Sequence, residues 1–379
     1  MEQATLSISA HFASLQDPRT GNATRHKLLD ILVIAICAII CGADDWTDVE
    51  LFGTCKETWF RTFLSLPHGV PSHDTFGRVF ARLDPVQFRD CFLQWIRAVS
   101  ILTEGQVISI DGKTLRGSQD GTIGKSAIHM ISAWASANSL VLGQLKVDSK
   151  TNEITAIPEL LHALAVDGCT VTVDAMGCQK DIAKAIVDKG GDYVLAVKDN
   201  QPALSQDIGL LFDDLDKSGP RSYQHDRTET VEKGHGRIET RRCCVIADPA
   251  VVGALPAAAG WAKLRSVVRV QAERQTRTET TSSVRYYISS RVDSAAALLK
   301  VTRTHWRIEN SVHWVLDIAF REDESRVRKN NGAENFAILR HIALNLLKQD
   351  KTVKVGVKGK RLKSGWDQNY LLHILSALF

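Results

Sequence analysis

The sequence lacks the features that mark several common protein classes. None of its eight cysteines stands in a CxxC pair, which argues against a zinc ribbon. The most apolar run, Ile31 to Cys41, is shorter than the ~20 residues that a membrane-spanning helix needs, and Asp30 and Asp44 flank it. It predicts a buried helix instead. The start of the sequence shows no secretory pattern, so we expect reduced thiols, a cytoplasmic location and no membrane partner.

The sequence also has no large excess of positive or negative charge. The formal net charge is +4 over 379 residues, which is too small to indicate a nucleic-acid partner by itself. The distribution of the charges therefore matters more than their sum. The sequence contains no internal repeat and no long low-complexity segment. Its length exceeds the usual range of a single domain, so two or three domains are expected.

Residues 1–103 carry helical patterns and predict an all-helical N-terminal domain. Ser72 is predicted to cap a helix that presents Arg78 and Arg82 four residues apart on one face. One interpretation is a helix-turn-helix whose two arginines contact DNA. The alternative is a helix face that is simply solvated.

From Val107 the pattern becomes that of a sheet with crossover helices, in the order βββαβαβα. A three-strand antiparallel meander followed by βαβ units predicts a mixed α/β sheet with helices on its faces, over residues 104–348. This is a ribonuclease-H-like arrangement, in which the first strand lies beside the fourth. The strands are predicted at Val107–Ile110, Ile128–Ala135, Leu140–Val147, Cys169–Val173 and Tyr193–Val197.

Residues 218–300 interrupt this pattern and predict a β-rich insertion. Three strand-like pieces are separated by polar turns: Arg241–Ile246, Leu264–Gln271 and Ser283–Ser289. Helical patterns return from Ser294 to about Phe320 and again from Ala333 to Lys348. Residues 349–379 are predicted to form a basic C-terminal segment.

Two aspartates each follow a predicted strand and precede a glycine. Asp111 is followed by Gly112, which we expect to turn the backbone sharply, and Asp174 is followed three residues later by Gly177. Although the two acids are 63 residues apart, the ends of adjacent strands would bring them together. Two neighbouring carboxylates repel each other unless a divalent cation lies between them. The alternative for each aspartate is a turn or cap residue.

A third acid is expected to complete the site. Glu309 shares a predicted helix face with Trp306 and His313, and an acid among bulky side chains is seldom a free surface charge. The other acids nearby are Asp317, Glu322, Asp323 and Glu324. For Trp306, Ile308 and Trp314 we expect mostly core packing. Hard oxygen ligands suit Mg²⁺ or Mn²⁺, and two such ions ~3.5–4 Å apart activate a nucleophile and stabilise a leaving oxygen.

Basic and polar residues around these acids are candidates for contacts with DNA. They lie just past the first strand, just past the fifth strand and in a glycine-flanked segment of the insertion. The candidates are Lys113, Arg116, Lys198, Asn200, His235, Arg237 and Arg241. The alternative is exposed charge for the first group and a solvated hairpin for the last.

Several motifs, in this order, resemble those of the DDE transposases of bacterial insertion sequences, in particular the group of H-repeat-associated proteins. The resemblance extends over nearly the whole chain. The motifs are Ser109–Lys113, Thr172–Ala175, Tyr193–Gln201, Gly234–Glu239 and His305–Asp317.

The resemblance implies a ribonuclease-H-like catalytic domain in which Asp111, Asp174 and Glu309 form the DDE triad. The 135 residues between the last two acids fit an insertion. The implied activity is cleavage at transposon ends and strand transfer with two Mg²⁺ ions, or Mn²⁺, as water and then a 3′-hydroxyl attacks a phosphodiester. The implied partner is double-stranded DNA, namely terminal repeats and target, bound by a homodimer that associates with the nucleoid.

The resemblance also assigns DNA contacts outside the triad. The N-terminal helices would bind terminal repeats. The basic segment from Lys348 to Lys363 has seven lysines and arginines against one acid, Asp350, and would hold DNA backbone.

One departure from the related larger family limits this comparison. That family carries Tyr and Arg seven and four residues before the glutamate and Lys seven after it, where this chain has Thr302, His305 and Leu316. The phosphate-binding roles of those positions are therefore not transferred, and His305, Arg307 and His313 are candidate replacements. Two alternative functions stay open: a metal-dependent nuclease without strand transfer, and a domesticated DNA-binding protein derived from a transposase.

Overall fold

The computed structural model describes residues 8–100, 105–120, 124, 126–147, 153–218, 224–234 and 236–375. Six helices precede the sheet: α1 (Ile8–Phe12), α2 (Leu28–Cys41), α3 (Trp46–Cys55), α4 (Glu57–Phe60), α5 (His73–Arg82) and α6 (Pro85–Val99). The helical N-terminal part is therefore confirmed. Asp84 stabilises the start of α6 by accepting a hydrogen bond from the Val86 amide at 2.8 Å.

The apolar run of the sequence forms α2, which is buried along most of its length. It packs against α3 and against two helices from the other end of the chain, α13 (Gly332–Gln349) and α14 (Val357–Trp366). The prediction of a buried helix is confirmed. In the described part of the chain, no helix is both long enough and apolar enough to span a membrane.

In the described part of the chain, one nine-stranded sheet forms the centre, in the order β3-β2-β1-β4-β5-β9-β8-β7-β6. Its first five strands are β1 (Val107–Leu115), β2 (Ile128–Ala135), β3 (Leu140–Val147), β4 (Thr170–Val173) and β5 (Asp192–Val197). β1 pairs antiparallel with β2 and parallel with β4. This is the predicted ribonuclease-H-like arrangement.

The helices between these strands are α7 (Glu153–Ala163), α8 (Lys180–Asp188) and α9 (Pro202–Ser218). Helix α13 packs against β3 as well as against α2, α5 and α6. The N-terminal helices, the sheet and the C-terminal helices thus share one hydrophobic core. The domain boundaries at residues 103 and 348 stay predictions.

The prediction of a sharp turn at Gly112 is wrong, because β1 continues to Leu115 along β2. Instead, Gly112 lets two other side chains approach the backbone of β1 closely. A Cβ atom at Gly112 would lie 2.5 Å from both Glu153 Oε1 and His129 Nε2, which is closer than atoms can pack. These two buried side chains are themselves joined at 2.5 Å.

The insertion extends the sheet with four antiparallel strands: β6 (His225–Gly234), β7 (Arg237–Ile246), β8 (Ser266–Gln275) and β9 (Thr280–Ser289). β9 pairs with β5 and so joins the insertion to the central strands. Strand β6 was not among the predicted pieces. The short helix α10 (Pro249–Gly253) lies between β7 and β8.

The chain after the sheet forms α11 (Ala295–His305), a π-helical turn at Glu309–His313, α12 (Trp314–Phe320), α13, α14 and α15 (Gln368–Leu375). The continuous helix expected from Ser294 to Phe320 is therefore interrupted next to Glu309.

The basic segment is less available to DNA than its composition suggests. Lys360 and Arg361 are buried, and Lys360 donates to the Leu347 carbonyl at 2.9 Å. Lys348 donates to the Ser311 carbonyl at 2.5 Å, and burial lowers its pKa to about 8. Three of the seven basic side chains thus stabilise the fold, which corrects the expectation that the segment as a whole holds DNA.

Candidate active site

The two aspartates lie at the point where the parallel pairing of β1 and β4 ends. The last paired residues are Ile110 and Val173, and each is followed directly by an acid, Asp111 or Asp174. The strands are buried up to this point. The two carboxylates are therefore neighbours at one edge of the sheet, as the order of the strands predicted.

The loop after β4 fixes Asp174. Its Oδ1 accepts hydrogen bonds from the backbone amides of Met176 at 3.1 Å and Gly177 at 3.3 Å. A Cβ atom at Gly177 would lie 2.1 Å from Val173 Cγ1, so no larger residue fits. The side-chain amide of Asn200 donates to the carbonyl of Cys178 in the same loop at 3.3 Å. Asn200 therefore holds the loop together.

Glu309 reaches the aspartates from the π-helical turn. His313 Nδ1 lies 3.0 Å from Glu309 Oε2 and 3.5 Å from Asp111 Oδ2. One potential ligand atom from each of these three residues lies within 4.8 Å of the others. The His313 side chain is only 3% exposed. Its predicted contact with DNA is therefore wrong, because the imidazole is enclosed beside the carboxylates.

All three acids line one cavity of about 180 Å³, which we call the acid cavity. Its walls come from β1, β4, β5, β9, α11 and the turn after α11. The other polar and aromatic side chains in its lining are Thr172, Lys198, Arg285, Tyr286, Tyr287, Thr302, His305 and Trp306. Of these, Lys198 and His305 were predicted near the site.

The electrostatics of the acid cavity favour a cation. Burial raises the pKa of Asp111 to about 6, and the charges of Asp174 and Glu309 add to this, whereas His313 and the Gly112 amide oppose it. A partly buried carboxylate next to two further acids is costly to ionise unless positive charge compensates it. Carboxylate oxygens are the ligands that Mg²⁺ and Mn²⁺ prefer, so these residues fit such an ion.

His305 is a neutral member of the lining. Burial lowers its pKa to about 4, and its Nδ1 lies 3.1 Å from the hydroxyl of Thr172. An uncharged imidazole cannot replace the positive charge of an arginine at this position. We therefore do not assign a phosphate-binding charge to His305.

Lys113 lies outside the lining of the acid cavity. Its ammonium group is 2.5 Å from Asp317 and 2.7 Å from Glu322, with Asp323 at 3.7 Å. Burial lowers the pKa of Lys113, but these acids outweigh that effect and raise it. Three of the competing candidates for the third acid are thus engaged by one lysine, and the predicted contact of Lys113 with phosphate is not supported.

Arg78 and Arg116 line a separate, larger groove of about 1800 Å³ between the N-terminal helices and the loop before α13. Both side chains are exposed, as is that of Arg82 on α5. Ser72 stands at the N-cap position of α5, as predicted, but its Oγ contacts the hydroxyl of Thr75 at 3.2 Å instead of a backbone amide.

The charges of the insertion hairpin pair with one another. Arg237 lies 2.6 Å from Glu239, and Arg241 contacts Glu239 and Glu232, the latter at 3.1 Å. His235 lies outside the described residues. The contact of these residues with DNA stays a prediction, with a solvated hairpin as its alternative.

A second surface lies beside the acid cavity, and two of the predicted DNA-contact residues, Arg241 and Arg307, line it. A groove of about 540 Å³ runs over β7, β8, β9 and α11, and we call it the arginine groove. Arg285, Thr302 and Trp306 line both it and the acid cavity, so the two are continuous. The other basic side chains in its lining are Arg241, Arg274, Arg303 and Arg307.

The aromatic residues around Glu309 are placed differently from the prediction. Ile308 is buried, as expected, but Trp306 is 48% exposed and Trp314 is 57% exposed. The guanidinium of Arg285 stacks over the Trp306 ring at 4.7 Å. Core packing is therefore wrong for both tryptophans. No periodic pattern in the sequence distinguishes them, because the π-helical turn shifts the helix faces.

Comparison with known families decides the identity of the fold. A family model described as "Transposase DDE domain" matches residues 102–346, and one described as "DDE_Tnp_1-associated" matches residues 9–96. The chain belongs to the DDE transposase family. The resemblance found in the sequence motifs is thereby confirmed, and the ribonuclease-H-like order of the sheet is the one that this family implies.

Relatives of similar length support the same assignment. The chain is 40% identical to the "H repeat-associated putative transposase YhhI" of Escherichia coli K12, over 97% of each chain. It is also 40% identical to the "Putative transposase YncI" of Escherichia coli O157:H7, over 98% of this chain and 95% of that one. A Xanthobacter autotrophicus protein, "Uncharacterized protein in dhlA 3'region", is 42% identical over 74% of this DDE transposase chain and 92% of its own.

Proposed function

We propose that this chain cleaves DNA at the ends of an insertion sequence and joins them to target DNA, with Asp111, Asp174 and Glu309 as its metal-binding acids. The observation that carries the proposal is the convergence of these acids on one cavity from β1, β4 and the π-helical turn. Three separate parts of the chain supply them. Turns or caps alone would not explain that convergence.

The proposed cofactor is Mg²⁺ or Mn²⁺, at two ions per site. The carboxylate oxygens of the three acids in one cavity and the partly buried charge of Asp111 support this choice. When bound, such ions would activate the attacking oxygen and stabilise the leaving oxygen of a phosphodiester. Asp111 would hold a central position, because it neighbours Asp174 along the sheet edge and Glu309 through His313.

The residues around the acids would position the substrate. Lys198 is exposed at the rim of the acid cavity, where its ammonium can meet a phosphate group. Asn200 would act indirectly, because its amide holds the loop that carries Asp174. His305 and Thr172 would shape the wall of the cavity through their mutual hydrogen bond.

The arginine groove is the proposed path of a DNA backbone towards the acid cavity. Exposed arginines next to a cluster of acids fit a phosphate chain that approaches cation-bound carboxylates. Arg274 and Arg307 are exposed in this groove, and Arg285 stands where it meets the acid cavity. We assign the terminal repeats to the N-terminal helices, where Arg78 and Arg82 are exposed. A homodimer on DNA stays a prediction.

Cleavage of terminal-repeat duplexes tests the proposal. Wild-type protein is expected to nick the repeat ends with Mg²⁺ or Mn²⁺ and to bind them without cleavage in Ca²⁺. Asp174→Ala should lose cleavage while keeping DNA binding. Asp199→Asn is the matched control, since Asp199 is an exposed acid next to Lys198. Full cleavage by Asp174→Ala would overturn the proposal.

A second assay separates a transposase from a nuclease. A pre-cut repeat end with a free 3′-hydroxyl is supplied with a target plasmid and Mg²⁺. Joined product supports strand transfer, whereas full cleavage activity without joining favours a plain nuclease. If Asp111→Ala left the biological effect of the chain unchanged, a non-catalytic DNA-binding role would explain the protein better.

A further inference from the structure

Glu309 is held differently from the two aspartates. Backbone amides bind Asp174 Oδ1 at 3.1 and 3.3 Å, and the Gly112 amide binds Asp111 Oδ1 at 2.9 Å. The Glu309 side chain is 61% exposed, and within the described part of the chain only the imidazole of His313 hydrogen-bonds to its carboxylate. A flexible exposed acid beside two like charges would otherwise turn towards solvent.

The state of His313 follows from its surroundings. Nδ1 faces Glu309 and Asp111, whereas Nε2 is buried and finds no hydrogen-bond partner among the described residues. A histidine that binds a metal usually donates its other N–H to a partner, which fixes the ring. Because Nε2 has no acceptor, the proton is better placed on Nδ1. The ring then acts as a hydrogen-bond donor to the carboxylates.

We infer that His313 is a positioning residue, which donates its Nδ1–H to Glu309, faces Asp111 with the same nitrogen at 3.5 Å and holds the two carboxylates together before a cation binds. This inference rests on the proposed function, since it concerns the same metal-binding acids. The N–H group between the two carboxylates offsets their repulsion, and its hydrogen bond restricts the exposed side chain of Glu309. The cation then meets ligands that are already assembled.

The π-helical turn provides the local geometry for this role. It begins at Glu309 and ends at His313, so the acid and its donor are its two terminal residues. Such turns are rare and occur frequently at functional sites. One face of the turn is buried and carries Val312 and His313. The other face is exposed to solvent and carries Glu309. A buried base thereby restrains an exposed acid.

Binding of Mn²⁺ to the full-length protein without DNA tests the inference by electron paramagnetic resonance. His313→Ala should weaken the affinity by roughly 10- to 100-fold, the usual effect of losing a residue that orients a ligand. His313→Asn keeps an N–H donor close to the position of Nδ1 and should stay within about threefold of wild type. His313→Gln carries its amide further out and should resemble the alanine variant.

The comparison of Asn with Gln keeps the test valid if His313→Ala does not fold. Pulsed spectra of bound Mn²⁺ add a second readout, because a coordinated imidazole nitrogen couples to the metal. Wild type should show no such histidine coupling. A nitrogen coupling that disappears in His313→Asn would make His313 a ligand and overturn the inference.

The same titrations separate failure of the inference from failure of the proposed function. Equal affinities of wild type, His313→Asn and His313→Gln would overturn the positioning role alone. Absence of Mn²⁺ binding by wild type would overturn the metal site itself, and the inference with it.

Discussion

Two regions of this chain are rich in basic residues, and the structure uses them in opposite ways. In the C-terminal helices, Lys360 and Arg361 are buried and donate to backbone carbonyls of the fold. In the arginine groove, Arg274 and Arg307 are exposed beside the acid cavity. The denser cluster in the sequence is thus the more structural one. A basic residue is a candidate for DNA binding when its charged group is exposed to solvent. Basic neighbours in the sequence are not sufficient.

The largest expected effect comes from the buried region. Arg361 donates to the Ile39 carbonyl at 2.8 Å and its guanidinium lies 4.2 Å over the Phe320 ring. Arg361→Ala removes a buried guanidinium that donates to the Ile39 and Ala319 carbonyls, and should lower the free energy of unfolding by about 3 kcal/mol. Urea denaturation measures this. Lys358→Ala, at an exposed position of the same helix, should change it by less than about 0.5 kcal/mol.

The same variant can also contradict the comparison between the C-terminal helices and the arginine groove. If Arg361→Ala stayed as stable as wild type but bound DNA more weakly, the C-terminal region would belong with the arginine groove.

Asp111 extends the comparison to a partly buried acid, whose carboxylate pairs with no lysine or arginine among the described residues. Its pKa is raised from 3.8 to about 6, so ionisation destabilises the fold as pH rises through this interval, and the cost is complete above it. Asp111→Asn should therefore stabilise the metal-free protein at pH 7.5, by on the order of 2 kcal/mol.

Thermal unfolding in EDTA at pH 7.5 and pH 4 measures this effect. The gain from Asp111→Asn should be clear at the higher pH and small at the lower one. A gain of equal size at both values would exclude the charge of Asp111 as its cause.

A substitution in the arginine groove should have a smaller effect, and this effect concerns DNA affinity rather than stability. Arg307→Ala should weaken binding of duplex DNA about fivefold and make its salt dependence shallower by about one unit, as expected for one lost phosphate contact. Fluorescence anisotropy over a salt series measures both. Arg265→Ala is the control, since Arg265 is exposed on the insertion but outside the groove. Equal losses in both variants would mean that the groove has no special part in binding.

The smallest effect on DNA affinity is expected from a substitution in α5. Arg78→Ala should weaken binding of a terminal-repeat duplex about twofold to threefold, which corresponds to a single exposed contact. A duplex of random sequence should be affected less. If both duplexes lost affinity to the same extent, α5 would contribute charge without reading sequence.

The sequence predicted the central strands well, because their apolar runs are bounded by turns. The observed limits of β2 and β3 coincide with the predicted ones, and the end of the parallel pairing between β1 and β4 places Asp111 beside Asp174. Strand β6 was missed because its residues are almost entirely polar, and it is stabilised by pairing with β7. Local pattern alone does not reveal a strand that depends on its partner.

The surroundings of the acids were harder to predict. The exposure of Trp306 and the burial of His313 both depend on a π-helical turn, which a search for 3.6-residue periodicity cannot show. The pairing of Lys113 with Asp317 and Glu322 joins residues about two hundred positions apart. Such contacts follow from the tertiary fold, so composition and spacing do not contain them.

The most direct test of the account is the number of Mn²⁺ ions bound per chain in complex with a terminal-repeat duplex, measured by equilibrium dialysis. Wild type should bind about two, and Asp174→Asn at most one, because the proposed pair of ions shares these acids. The same number of ions in wild type, Asp174→Asn and Glu309→Gln would contradict a metal site built from Asp111, Asp174 and Glu309.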